Sequence, residues 1–324
     1  MVVAVVEIGT RSIRMLVTES SAASGLRVLE TASSQSPLNE PARIASSTPV
    51  DPRVPKLGAT IERMLSTADK HGAAVKFVFG TASLRNLSAD ALAAARELMP
   101  GLAVLSSEAE ARACHASACL VAKTAGLRVP VLISGDIGSG SFELTGGQMV
   151  SPGVSDWSIG TDLGSNRLRQ LYMEGGLKAV EQAVAAALGD GLALRRDEDA
   201  LVAFSGSAPT KFGWLLFKAG QVNTDGLRYD MSKVQGQVFS TDDMARDLKM
   251  LDDARRQNRD RAAQIVSPED PQGIELEVLI AGMQAMGVAL RGLGQRRFMV
   301  NAYGARHGIA WLLFQGRSVE SMID

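Results

Sequence analysis

Two segments about 130 residues apart, Glu7-Ile8-Gly9-Thr10-Arg11-Ser12 and Asp136-Ile137-Gly138-Ser139-Gly140-Ser141, repeat one pattern: acid, Ile, Gly, hydroxyl, any residue, Ser. Each lies between two apolar β-type runs, Val2–Val6 into Ile13–Val17 and Val129–Ser134 into Phe142–Thr145. Either segment alone reads equally well as an ordinary glycine-containing hairpin. Repetition in both halves favours a pair of hairpins built to hold an anion. Gly9, Gly138 and Gly140 permit positive φ and close backbone approach, so that amides and hydroxyls can face phosphate oxygens. Asp136 and Glu7 stand at strand ends, where a carboxylate can hold Mg²⁺ directly or through water.

The 324 residues suffice for two domains with separate cores. With 34 Lys+Arg against 35 Asp+Glu there is no global positive field, so neither nucleic acid nor a membrane surface is expected as a partner. Binding should be focal, to a small anionic ligand. Cys114 and Cys119 sit five apart in one expected helix, pointing to different faces, and read as reduced core thiols. The N-terminus lacks the sections of a secretory signal, and no apolar run reaches the roughly 20 residues that span a bilayer. A cytoplasmic protein is expected. His71, His115 and His307 are far apart, with no zinc-protease helix motif and no P-loop Gly-Lys-Ser/Thr, which argues against a His-based metal centre.

Helix and strand alternate along the chain, the pattern of an α/β sheet. Pro37 to Pro55 reads as an irregular connection, Lys56–His71 as a helix, and Val75–Gly80 as a strand ending at Thr81-Ala82-Ser83-Leu84-Arg85. Ser88–Leu98 is an Ala-rich helix, Ala103–Leu105 a short strand, and Ser106 or Ser107 the N-cap of a helix to about Lys123. Gly126–Pro130 marks the crossing into the second domain. Beyond the second hairpin, Gly160 to Leu171 reads as a turn and helix start, followed by helix Gly176–Leu188 and strand Leu201–Ser205. Asp242–Arg261 has acids and bases at helical spacing, including Asp252 with Arg256, and reads as a solvated helix face. Helix Gly273–Leu293, strand Arg297–Ala302 and helix Arg306–Phe314 complete the chain.

Ser106-Ser107-Glu108-Ala109-Glu110-Ala111-Arg112 places two acids in the first turn of a helix, where the dipole favours negative charge and is expected to lower their pKa. Locally this is N-terminal charge capping. Its place between the hairpins, at the edge of the first domain, puts Glu110 at a cleft between duplicated halves. There a carboxylate can orient a water and accept its proton.

These residues resemble the exopolyphosphatase/guanosine-pentaphosphate phosphohydrolase family of the actin-like ATPase superfamily, in order and over nearly the whole chain. Glu7 to Ser12 is similar to that family's first loop, Asp-x-Gly-Ser-Asn-Ser, and Gly80 to Arg85 to its Thr-x-Ala-x-Arg segment. Glu108 to Arg112 resembles the Glu-Glu-Ala-Arg helix start, and Asp136 to Glu143 the second loop, Asp-Ile-Gly-Gly-Gly-Ser-x-Glu. Ser205-Gly206-Ser207 is similar to a later Ser-Gly-Thr turn, and Gly304-Ala305-Arg306-His307-Gly308 to the closing Gly-Leu-Arg-Glu-Gly.

The resemblance implies an α/β fold of two actin-like, ribonuclease H-like domains with a cleft between them. Residues 1–125 would form the first and 126–302 the second, with 303–324 packing back on the first. It implies hydrolysis of a terminal phosphoanhydride of polyphosphate or of a phosphorylated nucleotide, with Glu110 as base and Arg85 neutralising phosphate charge. Gly9, Thr10, Arg11, Ser12, Gly138, Ser139, Gly140, Ser141, Gly206, Ser207 and Arg306 would hold phosphate. Asp136, Glu143 and Glu7 would hold Mg²⁺ or Mn²⁺, and a homodimer is an expectation of the same kind.

The chain departs from the family pattern at Glu7 (for Asp), Arg11 (for Asn), Ser139 (for Gly) and His307 (for Glu). It also ends before the extra C-terminal helical domains of long family members. A phosphotransferase on the same fold, or a sensor with weakened chemistry, therefore stands beside the hydrolase.

Overall fold

The computed structural model describes residues 1–21, 25–39, 51–219, 230–266 and 274–318. Residues 40–50 of the expected irregular connection lie outside them. The first apolar run forms β1 (Val2–Ile8), which pairs antiparallel with β2 (Ser12–Ser21), itself paired with β3 (Gly25–Gln35). Then come α1 (Arg53–Lys70), β4 (Val75–Gly80), α2 (Ala82–Arg85), α3 (Ala89–Leu98), β5 (Ala103–Val104) and α4 (Ser107–Thr124). β4 runs parallel to β1, and the sheet has the order β3-β2-β1-β4-β5.

The second half repeats that plan. β6 (Val131–Ile137), β7 (Phe142–Gln148) and β8 (Trp157–Thr161) form an antiparallel meander, followed by α5 (Ser165–Leu188), β9 (Leu201–Gly206) and α6 (Ser207–Ala219). β10 (Val238–Ser240), α7 (Thr241–Gln257), α8 (Arg259–Val266), α9 (Ile274–Leu293), β11 (Arg297–Val300) and α10 (Ala305–Phe314) complete it. The order is β10-β11-β9-β6-β7-β8, with β9 parallel to β6, so β8-β7-β6-β9-β11 mirrors β3-β2-β1-β4-β5. This is a mixed α/β fold with two sheets.

Both hairpin strands are apolar on successive residues because each sheet is covered on two faces. On β1, Ala4, Val6 and Ile8 enter the core beneath α1 and α3, while Val3 and Val5 face α4 and α10. On the second sheet Ile133, Val202, Phe204 and Phe298 enter a separate core with α5 and α9. Leu132, Leu201, Ala203 and Met299 point the other way, into the same layer as Val3 and Val5. Helix α4 therefore lies between the sheets and is buried all round from Ala109 to Ala122, apart from the half-buried Arg112. Its small side chains allow close crossing: a Cβ on Gly308 of α10 would stand 1.8 Å from Ala113 O. Cys114 and Cys119 are both free and buried, on different faces of a helix without a solvated side.

Several expectations are corrected. β3, an edge strand that was not anticipated, buries only Leu26, and its alternation of exposed and half-buried positions is confined to Thr31–Gln35. The expected division before helix Gly176–Leu188 is, by contrast, borne out: within α5 the backbone leaves helical geometry at Gly175–Gly176, so two helical segments meet at a kink. The charged stretch 242–261 forms two helices joined at Asn258, and its face is not simply solvated. Asp252 is buried and accepts a 2.5 Å bond from Tyr172 Oη, while Arg255 and Arg259 grip the fully buried Glu277 of α9 at 3.3 and 2.8 Å. Charge spacing along one helix could not reveal an acid arriving from another. Glu275–Leu293 is also long and apolar enough to cross a membrane by length and composition, although 83% of that window is buried inside the fold.

Candidate active site

Gly9 N donates to Ser12 O at 3.0 Å, and Gly138 N donates to Ser141 O at 3.0 Å. The last ladder pairs, Ile8 with Ile13 and Ile137 with Phe142, are also equivalent. On the other side of each hairpin, Ile8 is level with Gly80 and Ile137 with Gly206. Thus the two loops and the turns Gly80-Thr81 and Gly206-Ser207 occupy matching places in the two sheets. The loops also meet: a Cβ on Gly140 would lie 3.4 Å from Ala82 Cβ and 3.8 Å from Thr10 Oγ1.

The glycines work differently from expectation. None of Gly9, Gly138 and Gly140 has positive φ, and only Gly9 is tightly placed, with its would-be Cβ 3.0 Å from Ser12 O. Positive φ falls at Gly206 (φ 114), where a Cβ would stand 2.4 Å from Ile137 O. Gly164, not anticipated, is more constrained still in space: its Cβ would lie 2.4 Å from both Gly140 C and Ser141 N. The sequence signal for it was its position just before a helix start. From that start Ser165 N donates to Gly138 O at 2.8 Å and Asn166 N to Ser139 O at 3.3 Å, so α5 braces the second loop. Ser139 fits without left-handed geometry.

Four carboxylates, Glu7, Glu110, Asp136 and Glu143, surround the junction. Asp136 stands opposite Glu143 across β6 and β7 and opposite Ser205 across β6 and β9, and its Oδ1 accepts a bond from Ser205 Oγ. Glu143 is 2% exposed, and neither of its oxygens has a hydrogen-bond partner among the described residues. Glu110 is buried on the first turn of α4, which Ser106 caps by accepting from Ala109 N at 3.0 Å. Arg85, at the end of α2, donates through Nη1 to Glu110 Oε2 at 3.1 Å and to Leu105 O at 2.7 Å. Glu108, the neighbouring acid, instead pairs with Arg112 at 3.0 Å on the surface.

Burial outweighs the helix dipole at Glu110. Its pKa is pushed up to about 8, first by desolvation and then by the charge of Asp136, against the pull of Arg85. Burial also raises Asp136, and it raises Glu143 well above the carboxylate range with help from Glu110 and Asp136. Cys114, one turn beyond Glu110, lies within reach of the same field.

The arginines divide unequally. Arg306 Nη1 is ion-paired with Glu7, so two residues expected to face phosphate and metal are engaged with each other. Arg11 makes no ion pair among the described residues. Arg14, exposed opposite Glu7 on β2, acts electrostatically on Asp136 and Arg306 and was missed because strand alternation makes it an ordinary solvent-facing residue. Thr10, Ser12 and Ser139 are half-buried on the loops, Ser141 is buried, and Ser207 begins α6 in the open. His307 is buried and stacked on Tyr303 at 4.0 Å between ring centroids; burial and Arg306 push its pKa well down. Among the described residues no three His, Cys, Asp or Glu side chains converge into a metal cage.

No protein-family model and no curated protein sequence matches the chain. Solved structures do. The Aquifex aeolicus member of the Ppx/GppA family aligns with a TM-score of 0.76 at 17% identity, over 98% of this chain and 99% of that one. An exopolyphosphatase from Cytophaga hutchinsonii aligns at 0.74 and 15% identity, again over 98% and 99%. An exopolyphosphatase-like protein gives 0.69 and 17% with the same coverage. In fold, this chain is the two-domain, actin-like α/β protein that those Ppx/GppA structures display.

Proposed function

We propose that the chain hydrolyses a terminal phosphoanhydride of polyphosphate or of a phosphorylated nucleotide in the cytoplasm. The observation that carries this reading is Glu110: a buried carboxylate, oriented by Arg85, beside two equivalent glycine loops that face each other. The amides and hydroxyls of Gly9–Ser12 and Gly138–Ser141 would hold the terminal phosphate. Water oriented by Glu110 would attack phosphorus in line, and Glu110 would take its proton. The remaining N–H groups of Arg85 would stabilise charge on the phosphoryl oxygens. The homodimer remains a proposal from the resemblance.

Mg²⁺ or Mn²⁺ fits the second loop. Both oxygens of the buried Glu143 lack partners, Asp136 has one oxygen held by Ser205, and both acids resist ionisation without a neighbouring cation. Glu7 fits less well, because Arg306 already neutralises it. A site with two carboxylates suits Mg²⁺, which keeps several waters and takes phosphate oxygens as further ligands. When bound, the ion would neutralise phosphate charge and help Glu110 ionise at neutral pH.

Glu110→Gln should retain phosphate-ligand binding and lose about 10²–10⁴-fold in kcat. Phosphate release at the wild-type rate would remove Glu110 from the mechanism. Phosphate that appears only after a small acceptor is added would replace hydrolysis by phosphotransfer, and binding without turnover under any divalent metal would make the chain a sensor.

A further inference from the structure

Helix α5 meets the second loop through its first part only. That part, residues 165–174, ends where Gly175 (φ −145°, ψ 15°) and Gly176 (φ 68°, ψ −160°) leave helical geometry. Isolated helices shorter than about 12–15 residues are marginal in water, so this piece needs contacts from outside to hold its place. The rest of α5 is fastened separately, with Glu181 paired to Arg291 of α9 at 2.7 Å. Toward the loop the contact is backbone to backbone. Ser165 N and Asn166 N donate to Gly138 O and Ser139 O, and Gly164 has no room for a Cβ beside Gly140 and Ser141. A shift of residues 165–174 would therefore shift the loop with it.

A network on α7 supplies those contacts. Leu168 and Tyr172 enter the core of the second half, and Tyr172 Oη donates to Asp252 Oδ1 at 2.5 Å. Both partners are buried, and the other oxygen of Asp252 is paired with Arg256 at 2.7 Å. Arg255 of the same helix lies over the Tyr172 ring at 5.1 Å and donates to Met173 Sδ at 3.1 Å. Its Nε reaches Glu277 Oε1 of α9 at 3.3 Å, an oxygen that Arg259 Nε also holds at 2.8 Å. Burying an acid is costly unless it is paired, and an apolar contact would fill the same space. A hydrogen bond to a carboxylate adds direction, which packing does not. The contacts thus run from Glu277 through Arg255 to Tyr172, and from there about two helical turns along the backbone to Ser165 and the loop.

We infer that Tyr172, Asp252 and Arg255 are positioning residues, which set the place of the Gly138–Ser141 loop through the first part of α5 and so govern turnover without touching the reacting atoms. The loop's role rests on the hydrolase reading, but the first test needs no substrate. Hydrogen–deuterium exchange of the full chain would be followed at Gly138, Ser165 and Asn166, with Gly9, closed by the same amide-to-carbonyl bond in the first loop, as internal reference. Tyr172→Phe keeps the ring and removes the donor. Arg255→Gln leaves Arg259 on Glu277 and loosens the other contact, so it carries the test should the first variant fail to fold. Exchange at the three amides should quicken about tenfold in a folded variant while Gly9 keeps its rate. Unchanged exchange, or an equal rise at Gly9, would overturn the inference and leave the hydrolase reading standing. With tripolyphosphate and a nucleoside triphosphate, the same variant should lose about tenfold in kcat on both, as expected for a displaced loop. A wild-type kcat beside quickened exchange would also overturn the inference. If the wild type hydrolyses neither compound, the hydrolase reading fails, and the exchange pattern alone decides whether these residues place the loop.

Discussion

The loop at Gly9 and the loop at Gly138 are closed by the same 3.0 Å amide-to-carbonyl bond, yet their acids meet different surroundings. Glu7 receives Arg306 from the far end of the chain, and Arg11 and Arg14 stand nearby in sequence and strand register. Asp136 accepts a hydroxyl from Ser205 and meets Arg14 and Arg306 only through space, while Glu143 across from it is eased only by the nearby Ser141 hydroxyl and the more distant charge of Arg85. One loop's acid is thus directly ion-paired, whereas the other loop's acids have no ion pair among the described residues. Duplicated backbone geometry does not impose duplicated chemistry, because the groups that decide charge arrive from outside each hairpin.

The largest test of that asymmetry is to neutralise each loop's acid in turn. Asp136→Asn should lower kcat about 10²–10³-fold with Mg²⁺ present, as expected for loss of an electrostatic group at the reacting phosphate. Glu7→Gln should cost nearer tenfold, since its charge is already spent on Arg306. Equal losses would erase the distinction between the halves. A smaller effect concerns the loop supports. Gly164→Ala forces a Cβ against the backbone of Gly140 and Ser141 and should destabilise the fold by about 1–3 kcal/mol in denaturant titration. Gly138→Ala meets only ordinary contacts at ordinary φ and should be neutral or stabilise by up to about 1 kcal/mol. Similar losses at both sites would mean that α5 does not brace the second loop.

The smallest expected effect is a pH slope. Glu110, Asp136 and Glu143 have raised pKa values, Glu110 up to about 8, while unfolded Asp and Glu release protons near about 4. Between these limits the folded chain binds more protons than the unfolded one, so metal-free stability should fall as pH rises. Tm measured between pH 5 and pH 8 should decline, and Glu143→Gln should flatten the decline by removing one such group. A wild-type Tm that rises across this window would contradict the burial of these acids.

Much of the architecture was readable. The repeated acid-Ile-Gly pattern located both hairpins, strand-helix alternation marked the α/β class, and Ser106 announced α4. The misses have a common origin. β3 is a polar edge strand, Gly164 matters only because another loop lies over it, and the pKa of Glu110 rises because surrounding elements remove its water. Local patterns contain none of those neighbours. The ion pair of Glu7 with Arg306 spans nearly the whole chain, and the grip of Arg255 and Arg259 on Glu277 joins separate helices.

The sequence by itself determined the two hairpins, the alternation of strands and helices around them but not β3, β8, β10 or α6, and the residue types available to the cleft, because periodicity and turn chemistry act over a few residues. Tertiary structure alone decided that the loops meet, that α4 loses water on every side, and which acids keep a cationic partner. Desolvation and charge pairing depend on distance in space, and residues such as Glu7 and Arg306 become neighbours only when the sheets close around α4.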